Sequence, residues 1–525
     1  MSTLLIKNVD TLVSCDAQDH VYTNVNLYCE NGLIKSIGNN LPDADTVIDG
    51  TGMICYPGLV NTHHHLYQVF SRNLPQVQNL ELFDWLTTLY EVWKNLNEDT
   101  IRLSSLTGMG ELMKNGCTTV FDHHYVFPNN AGDLLAAQWD AAQTLGVRMH
   151  FSRGSMDRSK KDGGLPPDSV VQTVDEIMKD SVRLIEKYND TSFQSMKRIA
   201  LAPCSPFSVS AELLEESAKL ARQYKVRLHT HLCETLDEEK FTLETTGLRP
   251  LAYMEKLGWI GNDVWYAHGI HFNDEELKLL ADTQTGVCHC PISNMKLSSG
   301  IARIPEMLKL GVPVGLGVDG SASNDGSNLL EEIRMCFLLH RLNSSDKAPS
   351  GYDILKMATI GSARLLGREN EIGSLETGKC ADFFMVRQNR LELVGACRDP
   401  LSVFGTVGLK GPVDYTVVNG KITIENGQLV SIDEEYVTTA TDNMTFTPLF
   451  IKSEETKFTV VFVDLYGNVI SSQTVSDGKD VVIPQAPIYP GYLFSEWSIS
   501  ENQISSLTDG KTIRANYTKD VSQTY

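Results

Sequence analysis

The stretch GLVNTHHH, residues 58–65, decides the reading of the fold. Its apolar opening suits a buried strand, and that strand runs directly into three histidines. Alternate side chains of an extended chain point the same way, so His63 and His65 share one side while His64 faces the other. Two neutral imidazoles so placed can ligate one cation. The same setting recurs three times downstream. His231 stands at the end of RLHTHL (227–232), His268 near the end of VWYAHG (264–269), and Asp319 closes VGLGVD (314–319). Ligand-type residues this far apart, each ending an apolar run, are what a barrel of parallel strands gathers at one mouth.

Working outward, eight such runs lie between residues 58 and 375. Besides those four they are CTTVFDHH (117–124), RMHFSRG (148–154), RIALAPCSP (198–206) and GVCHCP (286–291). Helical stretches part most of them; AELLEESAKLARQY, for example, follows Ser210, a good N-cap. Eightfold alternation of strand and helix predicts an α/β chain built on a (β/α)8 TIM barrel, whose active site lies at the strands' C-terminal ends. Residues 1–57 instead alternate apolar and polar positions in short runs, and the same texture returns at 376–435. These two segments predict one small β-sandwich, split by insertion of the barrel at 58–375. Residues 436–456 read as a linker. Residues 457–525 form a third unit, beginning with a hairpin that turns at Tyr466-Gly467-Asn468; Tyr492, Phe494 and Trp497 are expected in its core rather than as a ligand platform.

The 525 residues are enough for two to four domains, and 42% hydrophobic content is ample for a large core. A net charge of −21 argues against a nucleic-acid partner held through its backbone. Eleven cysteines, without a repeating spacing or a CxxC pair, read as reduced thiols. No signal peptide is visible and no run approaches the ~18 apolar residues of a membrane span, so the expected location is cytoplasmic, with no membrane partner.

The chemistry points to a metal-dependent hydrolase. His63, His65, His231 and Asp319 give four protein ligands. Glu234, three residues past His231, is placed to shuttle protons for a metal-activated water. His268 either ligates or hydrogen-bonds the attacking water or substrate; with four ligands already counted, the second role is preferred. His229 points elsewhere on its strand, as a supporting or core residue. The fourth strand ends at Cys204 and carries no lysine there, so no bridging lysine joins two metals and the expected cofactor is one divalent transition metal per chain. Zinc is preferred, and iron also suits three histidines and an aspartate.

PGLVNTHHH, HTHLCE, WYAHG, CPISNMKLSSGIA and GLGVDGSASND resemble the amidohydrolase superfamily in its ATZ/TRZ-type aminohydrolase branch, over roughly residues 1–435. The resemblance implies the split sandwich and barrel, a zinc or iron site at His63, His65, His231 and Asp319, and catalytic roles for Glu234, His268 and Asp319. Particular words (HHHLYQVFSRNLP, ELFDWLTTLYEVW, FDHHYVFPNN, RGSMDRSKKDGGLPPDSVV, APCSPFSVS) resemble 8-oxoguanine deaminases. That implies a small purine substrate, deaminated hydrolytically to urate and ammonia. Guanine, a pterin or a hydroxyatrazine-type ring are the alternatives. Gln68, Cys204, His123, Tyr125 and Arg153 are the candidate substrate contacts. The tail resembles a Listeria–Bacteroides repeat, a small β-grasp-like module, which keeps open a different class of function: a surface binding protein with a relic barrel. A barrel face shared with a second copy of the chain is a further open expectation.

Overall fold

Eight parallel strands stand side by side in chain order: Leu59–Asn61, Cys117–Phe121, Arg148–Ser155, Lys197–Pro203, Arg227–Leu232, Val264–His268, Gly286–His289 and Val314–Leu316. All eight match apolar runs of the sequence. The computed structural model describes residues 2–442, 457–476, 478–507 and 509–522. The ring closes where the first strand meets the eighth. Thr62 N donates to Leu316 O at 3.2 Å and Asp319 N to His63 O at 3.1 Å, and Asp319–Gly320 pairs in parallel with His64–His65. The eighth strand is shorter than VGLGVD suggests, because Val318 N turns to the side chain of Asn61, 3.0 Å away. Gly317 is needed at this seam: a Cβ there would lie 2.7 Å from both His63 Cβ and Cys288 Sγ. Barrel closure and metal-ligand placement therefore rest on the same few residues.

The helix Ala211–Tyr224 shows how the sequence builds the outer layer. Ser210 caps it by accepting from Leu213 N, a bond whose loss typically costs ~1 kcal/mol. Leu213, Leu214, Ser217, Ala218 and Ala221 form its buried face, and Lys225, with φ 55°, ends it in the left-handed region. Truncating a buried leucine of such a face costs about 2–5 kcal/mol.

Residues before and after the barrel form one continuous nine-stranded sheet rather than two separate ones. Phe383–Arg387 joins the halves by pairing antiparallel with Met53–Pro57. Thr3–Val13 bends at a register shift beside Asn8 (φ 59°), so its first half pairs with Thr46–Asp49 and its second with Met53–Pro57. This curl wraps a core of Leu4, Ile6, Leu27, Cys55, Phe383 and Val417. The start of the expected linker is helical over Glu434–Asp442, where Lys114 Nζ meets Glu434 at 2.6 Å; residues 443–456 lie outside the described residues. The chain divides into two compact units, Met1–Thr445 and Phe446–Tyr525.

In the second unit Phe458–Val463 and Val469–Val475 form the hairpin, and the four-stranded sheet continues through Lys511–Lys519 to Tyr492–Trp497. The core expectation for the aromatic strand needs correction. Val460, Phe462, Ile504 and Ile513 are the buried set; Tyr492 is 37% and Phe494 42% exposed, and Trp497, packed on Phe462, is half-buried. The aromatic run occupies an edge strand, where little else covers it. No helix among the described residues is long and apolar enough to cross a membrane.

Candidate metal centre and active site

The seam of the barrel sets Asp319 Oδ1 3.2 Å from Nε2 of His63 and 3.2 Å from Nε2 of His65. His231, on the fifth strand, brings its Nε2 to 3.2 Å from that of His65. Donors arranged tetrahedrally at about 2.1 Å from one zinc stand about 3.4 Å apart, so these spacings are those of a ligand cage.

Hydrogen bonds behind the ligands fix their tautomers. His65 Nδ1 donates to His123 O at 2.7 Å and His231 Nδ1 to Cys204 O at 2.5 Å. His229 Nδ1 faces Trp265 O at 3.0 Å and must donate; its Nε2 therefore accepts from His63 Nδ1, 2.8 Å away. Each ligand imidazole thus keeps its proton on Nδ1 and turns a lone pair inward at Nε2. His63 Nε2 is buried and has no hydrogen-bond partner. A buried lone pair in that state is costly unless a cation takes it. Burial also holds His63 down to about 3 and His231 well below the usual imidazole range, so both are neutral. Burial pushes the Asp319 carboxyl upward, but the close approach of His63, His65 and His268 outweighs it and holds the group well below the carboxylate range. The donor set fits one divalent cation.

Two further groups face the cage. His268 is tied through Nδ1 to Asn294 Oδ1 at 2.8 Å, and its Nε2 lies 3.4 Å from Glu234 Oε2 and 4.0 Å from Asp319 Oδ2. Its nitrogen falls within 4.8 Å of donors from His63, His231 and Asp319, near enough to join them. Burial disfavours its charged form, yet the Glu234 and Asp319 carboxylates raise its pKa overall. Burial raises Glu234, with His268 opposing. Cys233 (φ 54°), His268 (φ 71°) and Asp319 (φ 61°) all adopt left-handed backbone at the strand ends. Such conformations concentrate at working sites and cost about 1–3 kcal/mol each.

Above the cage is a narrow cavity of about 30 Å³. Gln68, Tyr125 and Cys204 line it, between Trp85, Leu86, Phe207 and Leu297. Gln68 accepts weakly from Ala322 N (3.4 Å) through Oε1, and its Nε2 is buried without a partner. Gly320 makes room for it, since a Cβ there would sit 1.8 Å from Gln68 Oε1. Burial pushes the Cys204 thiol up to about 12, so it is protonated.

Two candidate contacts are placed elsewhere. His123 is packed below the cavity, stacked on His231 at 4.7 Å with Nε2 bound to Ala202 O; its ring lies within the ligand cluster instead. Arg153 turns away from the cavity to Asp180 and Gln172, 2.7 Å from each, with Phe127 under its guanidinium. A buried guanidinium needs those partners, and they lie on the outer side of the third strand.

Sequence reading gave no role to several residues that complete the site. Ser293 Oγ donates to Asp319 Oδ2 at 2.5 Å, Ser323 Oγ to the same atom at 3.3 Å, and Ser299 Oγ to Glu234 Oε1 at 3.3 Å. Glu238 accepts from the backbone N–H groups of Cys233 and Glu234, holding the turn that carries Glu234. The signal for Ser293, Asn294 and Ser299 was CPISNMKLSSGIA, a motif with no obvious donor spacing of its own.

Comparison with known proteins agrees with this geometry. Residues 54–423 match the amidohydrolase family. The chain is 45% identical over 385 residues to 8-oxoguanine deaminase of Pseudomonas aeruginosa, covering 73% of this chain and 85% of that protein. It is 40% identical to hydroxydechloroatrazine ethylaminohydrolase of Pseudomonas sp. strain ADP, covering 85% and 95%. Among solved structures, atrazine chlorohydrolase from Arthrobacter aurescens TC1 complexed with zinc superposes with a TM-score of 0.80 at 35% identity, covering 84% of this chain and 99% of that one. A (β/α)8 barrel with this cage at its mouth, matched over more than two thirds of its length, leaves one assignment: the chain is a hydrolytic enzyme and belongs to the amidohydrolase family.

Proposed function

We propose that the enzyme deaminates 8-oxoguanine hydrolytically, to urate and ammonia, using one zinc ion held by His63, His65, His231 and Asp319. The observation that carries this reading is the 45% identity to 8-oxoguanine deaminase, in a chain whose cavity has Gln68, Tyr125 and Cys204 beside the cage. A divalent cation in that cage lowers the pKa of its water toward neutrality. The remaining work falls to the protein. Trp85, Leu86, Phe207 and Leu297 hold a flat ring, and the free amide N–H of Gln68 donates to one of its carbonyls or ring nitrogens. Asp319 takes the proton of the attacking water and passes it to the leaving amine. Glu234, whose pKa burial raises, delivers a proton to a ring nitrogen so that the tetrahedral carbon can expel ammonia. His268, fixed by Asn294, orients the attacking oxygen and steadies the charge that develops on it.

A hydroxyatrazine-type aminohydrolase is the second reading, favoured by the 95% coverage of that relative and the triazine hydrolase structures. A third relative, isoxanthopterin deaminase, is 35% identical over 374 residues. The test is steady-state ammonia release from free 8-oxoguanine, guanine, isoxanthopterin and a hydroxytriazine. The highest kcat/KM is expected for 8-oxoguanine, because its N7–H is a donor where guanine presents an acceptor, and a pocket matched to one leaves a buried group unpaired with the other. A higher kcat/KM for any other ring overturns the substrate assignment and leaves the deaminase chemistry standing.

A further inference from the structure

A second cluster of metal-ligating side chains lies away from the cage. His289 ends the seventh barrel strand, Gly286–His289; Cys336 and His340 stand one turn apart on the helix Leu329–Ser344. All three are buried, and they offer one donor atom each within 4.8 Å of one another. Cys288 belongs to the core that includes Val60, Phe121 and Trp265, so the next residue, His289, faces the opposite side of the strand, toward this helix.

The spacing resembles a ligand pair more than a hydrogen bond. His289 Nε2 and His340 Nε2 are 3.3 Å apart. Within the same protein a histidine pair joined by a hydrogen bond, His63 with His229, is at 2.8 Å, whereas the cage pair His65 and His231 is at 3.2 Å. One of the two Nε2 atoms can donate to the other, but both Nδ1 atoms are buried without partners. Burial holds His340 down to about 4 and His289 well below its usual range, so both rings are neutral and able to ligate.

We propose that His289, Cys336 and His340 bind a second, structural transition-metal ion of the zinc class. Two imidazoles and a thiolate suit zinc, which they would hold with three protein ligands. Binding forms a sulfur–metal bond and breaks the S–H bond of Cys336, whose proton leaves to solvent. The ion would clamp the helix to the barrel wall just before Pro291–Lys296, the segment whose Ser293 and Asn294 hold Asp319 and His268. Glu332, one turn before Cys336 on that helix, already accepts from Ile292 N at 3.2 Å.

Cobalt(II) reconstitution of the metal-stripped full chain tests this, because the catalytic cage contains no sulfur. The expected result is a second bound equivalent and a thiolate-to-cobalt charge-transfer absorption in the near ultraviolet. Cys336→Ser should lose both that band and one equivalent, keep its turnover and melt at a lower temperature, while Cys204→Ser keeps the band. Wild-type protein that binds a single equivalent with no charge-transfer band overturns the proposal, whatever the variants do. A band that survives Cys336→Ser, or vanishes in Cys204→Ser, overturns it equally, by assigning the sulfur elsewhere.

Discussion

His63 Nδ1 stands 2.8 Å from His229 Nε2, and that contact determines which nitrogen of His63 is left for a metal. His229 is itself committed, since its Nδ1 donates to Trp265 O. Replacing His229 by Ala should therefore weaken metal binding about 10–100-fold although the residue touches no metal. His229→Gln, whose amide oxygen can accept, should recover part of the loss. Competition titration with a chromophoric chelator measures this; equal affinity in the Ala variant would show that the tautomer is set by something else.

Glu234 makes a sharper prediction. Glu234→Gln keeps the size of the side chain and the contact from Ser299 but cannot carry a proton. Turnover should fall by about 10²–10⁴-fold with the metal content unchanged from the parent. Near-normal rates in a fully metallated variant would remove Glu234 from the mechanism.

The cage was legible in the sequence because each ligand ends an apolar run, and strand ends of a parallel barrel can meet only at one mouth. The donors behind the cage were not legible in the same way. Ser293, Ser299 and Ser323 lie on short helices and turns, where no periodicity distinguishes a serine bonded to Asp319 or Glu234 from one bonded to solvent. Arg153 illustrates the reverse failure. Its place after an apolar run suggested the mouth, but its strand extends to Ser155, and the side chain falls on the outer face with Asp180. Tyr492 and Phe494 were assigned to a core by hydrophobicity alone, and which strand lies at the edge of a four-stranded sheet is a matter of pairing order that composition does not encode.

Gln68 should govern affinity for the substrate. Its Nε2, like Trp85 Nε1, is an unpaired donor of the cavity, so Gln68→Met should lower kcat/KM by roughly tenfold, the value of one net hydrogen bond, without loss of metal. Gly320→Ala should act similarly, because its Cβ would collide with Gln68 Oε1. If both variants match the parent on the preferred base, Gln68 is a packing residue.

Truncation after Ser453 should leave a folded, active enzyme. Every residue of the cage and cavity lies between His63 and Ser323, and the helix Glu434–Asp442, anchored through Lys114, is retained by such a cut. Circular dichroism and ammonia release check both halves of the claim. Aggregation or lost turnover would mean that residues beyond 453 complete the first unit.

The C-terminal unit should carry its own acid sensitivity, centred on Asp464. The Tyr489 hydroxyl donates to its carboxylate, and the N–H groups of Tyr466 (2.9 Å) and Asn468 (2.7 Å) and the Asn468 amide (2.9 Å) donate as well. The Tyr489 bond first, then those of Asn468 and Tyr466, outweigh burial and bring the group down to about 2. An unfolded aspartate titrates near 3.9, so the unfolded chain takes up the proton first as pH falls. The stabilisation is therefore fully present above about pH 4 and disappears as pH falls through about 2. Trp497 is the only tryptophan beyond residue 453, which lets its fluorescence follow thermal unfolding of a polypeptide spanning residues 457–525. The melting temperature should drop between pH 4 and pH 2 in the parent sequence. Asp464→Asn should start lower at neutral pH and lose most of that slope, since its amide has no proton to take up in this window. An identical slope in both would place the acid sensitivity on another carboxylate of the unit.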